Sequence, residues 1–223
     1  MTFSLVARDE TGAFGAVICS SSPAVAARCV HLADGVGGVN SQNVTDPRLG
    51  PTLLEGLRGG ASAAQALHTV TASTENIEYR QLLAVDAAGR AAAYSGRRSL
   101  GVFGDAVGDG AAAGGNLLAS ADIPTIMVDC FAAAQGDLEQ RLYAAIRAAM
   151  DAGGEAGPVH SAGLSVVRDA GWRVTDLRVD WTDGNPVAEL GSLLEIWRPQ
   201  RDDYIARGLD PAASPSYGVA GDE

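Results

Sequence analysis

Basic side chains are scarce in this chain. Its 16 Lys+Arg stand against 27 Asp+Glu, a net charge of -11, and no basic run offers the footprint that a phosphate backbone demands. Nucleic acid is not an expected partner. Long apolar runs are missing too, none reaching the ~18 residues of a membrane-spanning helix, and the start shows neither the basic region nor the apolar stretch of a secretory signal. We therefore expect a cytoplasmic protein with no membrane partner. Cysteine is limited to Cys19, Cys29 and Cys130, without C-x-x-C spacing and each in apolar context, a pattern of buried free thiols. His31, His68 and His160 are scattered, with no H-x-x-x-H or mixed Cys/His spacing, so no bound metal is expected. There is no G-x-S-x-G elbow and no Walker loop, and "GVGG" at 35–38 lacks the strand-to-helix setting of a dinucleotide fingerprint.

What is present suffices for one domain with a sizeable core: 223 residues, 47% of them hydrophobic, bury roughly 70% of their unfolded surface. "TFSLVAR" alternates with period two, "DETG" supplies a turn and "AFGAVICS" resumes, which predicts a hairpin. The same grammar recurs around Asp86 to Gly89 and around Asp169 to Gly171. Between the first two hairpins, "GPTLLEGLRGG" and "SAAQALHTVTAS" predict two helices, the second opened by Ser62 and Gln65 as a capping box. A second helix pair follows in "DIPTIMVDCFAAAQG", with Pro124 in its first turn and Gly136 as its stop, and in "DLEQRLYAAIRAAMDAGG", capped by Asp137 and Gln140. Helix pairs set between antiparallel hairpins do not suit a doubly wound sheet. They predict an α+β fold, a four-layer αββα sandwich of two mainly antiparallel sheets covered by helix pairs. This domain spans 1–198, and a polar tail or partner arm follows over 199–223.

Few residues remain to carry chemistry. A Thr2 exposed by removal of Met1 has a free α-amine with a pKa near 8, which can act as base for the hydroxyl of the same residue. Thr2 and Ser4 are also compatible with outward positions on an edge strand. The Gln42–Asn43 stretch fits either a turn or an oxyanion donor, and Asn116 either a bulge or a ligand contact.

"MTFSLVARDETGAFGAVICSSS", "GVGGVNSQNVTDPRLGPTLLEGLRGGASAAQAL", "RQLLAVDAAGRAAAYSG", "GGNLLAS", "HSAGLSVVR" and "DLRVD…NPVAEL" resemble, in this order, the segments of the bacterial domain-of-unknown-function family 1028. The resemblance runs from Thr2 to about Leu194. It implies an Ntn-hydrolase-like fold, within a superfamily whose amidases cleave amides with an N-terminal Thr, Ser or Cys. Carried over by residue, it marks Thr2, Ser4, Ser20, Ser41 with Gln42, Gly115 with Asn116, Arg80 with Gln81, and Ser161. The chain departs from the family pattern at Ser21, in place of a lysine, and at Val159 and His160, in place of Arg-Gln.

These readings converge on an amidohydrolase for a small amide, carbamoyl or lactam substrate. In it Thr2 is the nucleophile, Gln42 or Asn116 the oxyanion donor, and Ser20 and Ser41 the groups that orient the amine. Ser4, Asn43, Arg80, Gln81, His160 and Ser161 are the candidate substrate contacts. No cofactor is required. Two alternatives stay open: a catalytically silent ligand-binding or scaffold protein of the same fold, and an imine or enamine deaminase. An edge strand beginning at residue 2 would invite pairing, so a homo-oligomer, most simply a two-fold dimer, is expected, with the tail from Trp197 a candidate arm.

Overall fold

The computed structural model describes residues 2–221, so the expected loss of Met1 concerns a position outside the described residues. Along the chain run β1 (Thr2–Arg8), β2 (Phe14–Ser20), α1 (Val25–Cys29), β3 (Val30–Ala33) and β4 (Gly37–Asn43). Next come α2 (Leu49–Arg58), α3 (Ala63–Ser73), β5 (Arg80–Asp86), β6 (Ala91–Ser95), β7 (Gly104–Gly108) and β8 (Ala111–Asn116). The remainder is α4 (Ile123–Ala133), α5 (Leu138–Asp151), β9 (Ser161–Val167), β10 (Arg173–Val179), α6 (Pro186–Trp197) and α7 (Arg201–Leu209).

The strands form a six-stranded sheet in the order β10-β9-β2-β1-β8-β7 and a four-stranded sheet in the order β3-β4-β5-β6, with every pair antiparallel. Aspartates shape the hairpin turns. Asp9 Oδ1 accepts from Thr11 N and Ala13 N, and Asp86 Oδ1 accepts from Ala88 N and Arg90 N, so each carboxylate satisfies amides the turn would leave unpaired. The capping boxes at Ser62/Gln65 and Asp137/Gln140 are both formed.

Three apolar layers hold the sandwich together. Val6, Ile18, Leu83 and Val85 meet between the sheets. Leu53, Leu67 and Leu82 join α2 and α3 to the four-stranded sheet. Leu5, Val17, Met127, Leu142, Leu164 and Leu190 join α4, α5 and α6 to the other. The order helix, sheet, sheet, helix is the αββα arrangement expected. None of the described helices is long and apolar enough to cross a membrane.

The structure corrects some local expectations and adds elements beyond them. β1 is not an edge strand: β2 pairs on one side and β8 on the other, and Thr2 and Ser4 are buried. The partner β8 is "AAAGGN", small residues with almost no strand signature, which is why β1 looked uncovered. The argument for self-association through that edge therefore falls away. "NPVAEL" opens α6, with Asn185 Oδ1 capping Val187 N and Ala188 N and Pro186 in the first turn. The tail begins with an ordered helix: α7 packs on β10, and Arg201 pairs with Asp137 at 3.3 Å and with the buried Glu139 at 3.1 Å. Cys130 is only half-buried, whereas Cys19 and Cys29 are buried and burial pushes both thiols up.

Candidate functional site

Antiparallel register places four polar side chains in one row at one end of the six-stranded sheet. Thr2 is opposite Asn116 on β8; the Phe3–Cys19 pair sets Thr2 beside Ser20 on β2; and Ser20 is opposite Ser161 on β9. Cross-strand partners share a face. Thr2 Oγ1 and Ser20 Oγ lie 3.3 Å apart, and Ser20 Oγ accepts from Ser22 N at 3.1 Å. Ser161 Oγ donates to Ser22 O at 2.6 Å and accepts from Val25 N at 3.3 Å, tying the row to the turn after β2.

Two residues deeper, the same face meets the four-stranded sheet through a polar layer. Ser4 Oγ donates to Gln42 Oε1 at 2.5 Å and accepts from Asn40 Nδ2 at 3.0 Å. Gln81 Nε2 contacts the carbonyls of Gly104 and Gly115, each at 3.1 Å, and Ser95 Oγ at 2.9 Å. A carbonyl can only accept, so this end of Gln81 is the donor and its orientation is fixed. Gln81 Oε1 then accepts from Gln42 Nε2 at 2.8 Å and from Asn116 Nδ2 at 3.3 Å. Gln42 Nε2 also donates to Gly114 O at 3.1 Å. A Cβ on Gly114 would stand 3.0 Å from Leu83 Cδ2 and 3.4 Å from the Gln81 carboxamide, so the bare backbone lets the layer close.

Thr2, Ser4, Ser20, Gln42, Gln81, Asn116 and Ser161 are thus brought together. Ser41 is not. Alternation turns it to the other face of β4, where it pairs with Leu82 and its hydroxyl donates to Asp46 O at 3.0 Å. Asn43 and Arg80 form the next pair on that opposite face, with Asn43 bonded to Tyr79 O and Leu100 N and Arg80 to Val44 O. His160 lies at the side of the row. Its ring stacks on Trp181 at 4.2 Å, its Nδ1 is 2.8 Å from Thr182 O, and its backbone N donates to Ser20 O.

A family model described as a family of unknown function (DUF1028) matches residues 2–190. The chain belongs to this family. A solved structure of protein SPO2555 from Silicibacter pomeroyi, carrying the same family description, is 30% identical with a TM-score of 0.85, over 92% of this chain and 90% of that one. Anbu (ancestral beta-subunit) from Yersinia bercovieri aligns at 11% identity and a TM-score of 0.43, over 88% of this chain and 97% of that one. No curated protein matches.

One residue of this DUF1028 chain escaped the sequence reading. Glu155 sits in the glycine-rich segment "AGGEAG", where no periodicity or motif singles it out, yet it is 4% exposed. Its backbone bridges to Leu118, just beyond Asn116, and its Oε1 accepts from Ser21 N at 3.1 Å, just beyond Ser20. Glu155 therefore crosses the N-terminal end of β1, from the continuation of β8 to the continuation of β2. Burial pushes its carboxyl up to about 7, against the Ser21 hydrogen bonds and the His160 charge, which pull it down. Among the described residues no group of three or more His, Cys, Asp or Glu side chains is placed to hold a metal ion.

Proposed function

We propose that the chain is an amidohydrolase of the N-terminal nucleophile type, acting on a small amide, carbamoyl or lactam through Thr2 once Met1 has been removed. The observation that carries this reading is the row Ser161–Ser20–Thr2–Asn116 at the end of central strands, with Thr2 Oγ1 3.3 Å from Ser20 Oγ. In the reaction, the Thr2 hydroxyl proton passes to the α-amine of Thr2 as Oγ1 bonds to the substrate carbonyl carbon. The amine returns that proton to the leaving nitrogen as the C–N bond breaks, leaving an ester on Thr2. Water, deprotonated by the same amine, then hydrolyses the ester.

Donor capacity narrows the roles. Gln42 directs both hydrogens of Nε2 at Gln81 Oε1 and Gly114 O, so it braces the site from beneath. Asn116 Nδ2 has a single long contact, 3.3 Å to Gln81, which leaves it with backbone amides as the oxyanion donor. Ser20 orients Thr2, Ser4 and Gln81 support the layer, and Ser41 takes no part. A second reading, a silent ligand-binding protein, draws on the burial of Thr2 at 4% exposure. Rates of amide hydrolysis separate the two: Thr2→Ala abolishes turnover and Thr2→Ser alters it under the first reading, and equal rates in Thr2→Ala and the parent would sink it.

A further inference from the structure

The mechanism above leaves one buried ionisable group at the head of β1 without a task. Glu155 Oε1 is held by Ser21 N, but Glu155 Oε2, also buried, has no hydrogen-bond partner. A buried carboxyl oxygen without a donor is costly to keep and calls for an explanation. The bridge to Leu118 and the bond to Ser21 fix this carboxyl across the strand end from which the nitrogen of Thr2 emerges. No other side chain can supply an ammonium group here, because the chain contains no lysine. The surrounding titratable and charged groups are Cys19 from β2, whose thiol burial and Glu155 both push up, and His160, with Asp183 3.8 Å from its ring. Behind the turn, Arg28 of α1 donates to Ser22 Oγ at 3.1 Å.

We propose that Glu155 is the positioning residue of the site: its Oε2 accepts an N–H of the freed Thr2 α-amine and holds that amine beside Thr2 Oγ1. The proposal rests on Thr2 becoming N-terminal, and it deepens the amidohydrolase reading. Proton balance is simple. The reactive pair is a neutral amine beside an ionised Glu155 carboxylate, reached when the ammonium gives its extra proton to solvent; the amine lone pair then takes the hydroxyl proton during attack, and Glu155 forms no bond to substrate. Two interacting groups of this kind titrate as a pair rather than singly.

The absence of lysine gives a direct test, because reductive methylation with 13C-formaldehyde labels only the α-amine. The sample is the untagged full chain beginning at Thr2, with Met1 loss verified by intact mass. Its labelled amine is titrated by NMR in the parent and in Glu155→Gln. The expected result is a proton affinity at least tenfold lower in Glu155→Gln, as removal of a nearby carboxylate requires. Equal affinities would overturn the proposal, whether or not Thr2 forms an acyl adduct. Failure of the parent to acylate overturns the amidohydrolase reading instead, and the amine titration still decides the role of Glu155. Should Glu155→Gln not fold, the 13C carboxyl resonance of Glu155 in the parent replaces it: carboxyl and amine curves sharing both inflections support the pair, and independent curves refute it.

Discussion

Replacing Gln81 by methionine keeps length and volume while removing every hydrogen bond of the most connected side chain between the sheets. In the parent, Gln81 is fully buried, accepts from Gln42 Nε2 and Asn116 Nδ2, and shares its two Nε2 hydrogens among Ser95 Oγ and the carbonyls of Gly104 and Gly115. Gln81→Met strips a partner from two amide donors and at least one acceptor in a fully buried layer. Each buried group so orphaned costs roughly 1–3 kcal/mol, which sums to about 3–5 kcal/mol after partial relaxation. In a chain of this size that lowers Tm by about 6–20 °C. Urea unfolding followed by circular dichroism reads the change, with an unaltered slope showing that the same surface is exposed. A loss below about 1 kcal/mol would refute the claim that this layer is a connected network and not a set of replaceable contacts.

Other substitutions separate packing from chemistry. Gly37→Ala places a Cβ 2.6 Å from the backbone oxygen of Val85, which cannot step aside, so thermal unfolding should register a loss of about 1–3 kcal/mol. Arg201→Ala takes one of two arginines from the fully buried Glu139, with Arg168 remaining 2.5 Å away, and should destabilise by about 2–3 kcal/mol, an effect that truncation after Pro199 reproduces. Asn116→Ala should slow acylation of Thr2 by about 10²–10³, the usual loss of an oxyanion donor, while Ser41→Ala acylates at the parental rate. A parental rate in Asn116→Ala would remove Asn116 from the reaction.

The layer order was legible because its signals are local. Period-two runs around turns that pair an Asp with a Gly, two capping boxes and Pro124 each specify an element without help from distant residues, and all of them are realised. The position of β1 was not legible, since it depends on β8, more than a hundred residues away and built of Ala and Gly. Alternation could have separated Ser41 from Gln42: adjacent strand residues face opposite sides, so only one of the two could join Thr2. Asn185 followed by Pro186 was a readable helix start. Glu155 had no such signal, because its importance comes from crossing the end of β1, a relation made by tertiary structure alone.

The central claim is that Thr2 is an N-terminal nucleophile, and intact mass spectrometry of untagged protein tests it most directly. The chain should lack Met1, and incubation with a threonine-reactive β-lactone should add one reagent mass, located by digestion to the peptide that begins at Thr2 and missing in Thr2→Ala. A chain that retains Met1 yet hydrolyses a small amide, or one whose Thr2→Ala variant is labelled equally, would contradict it.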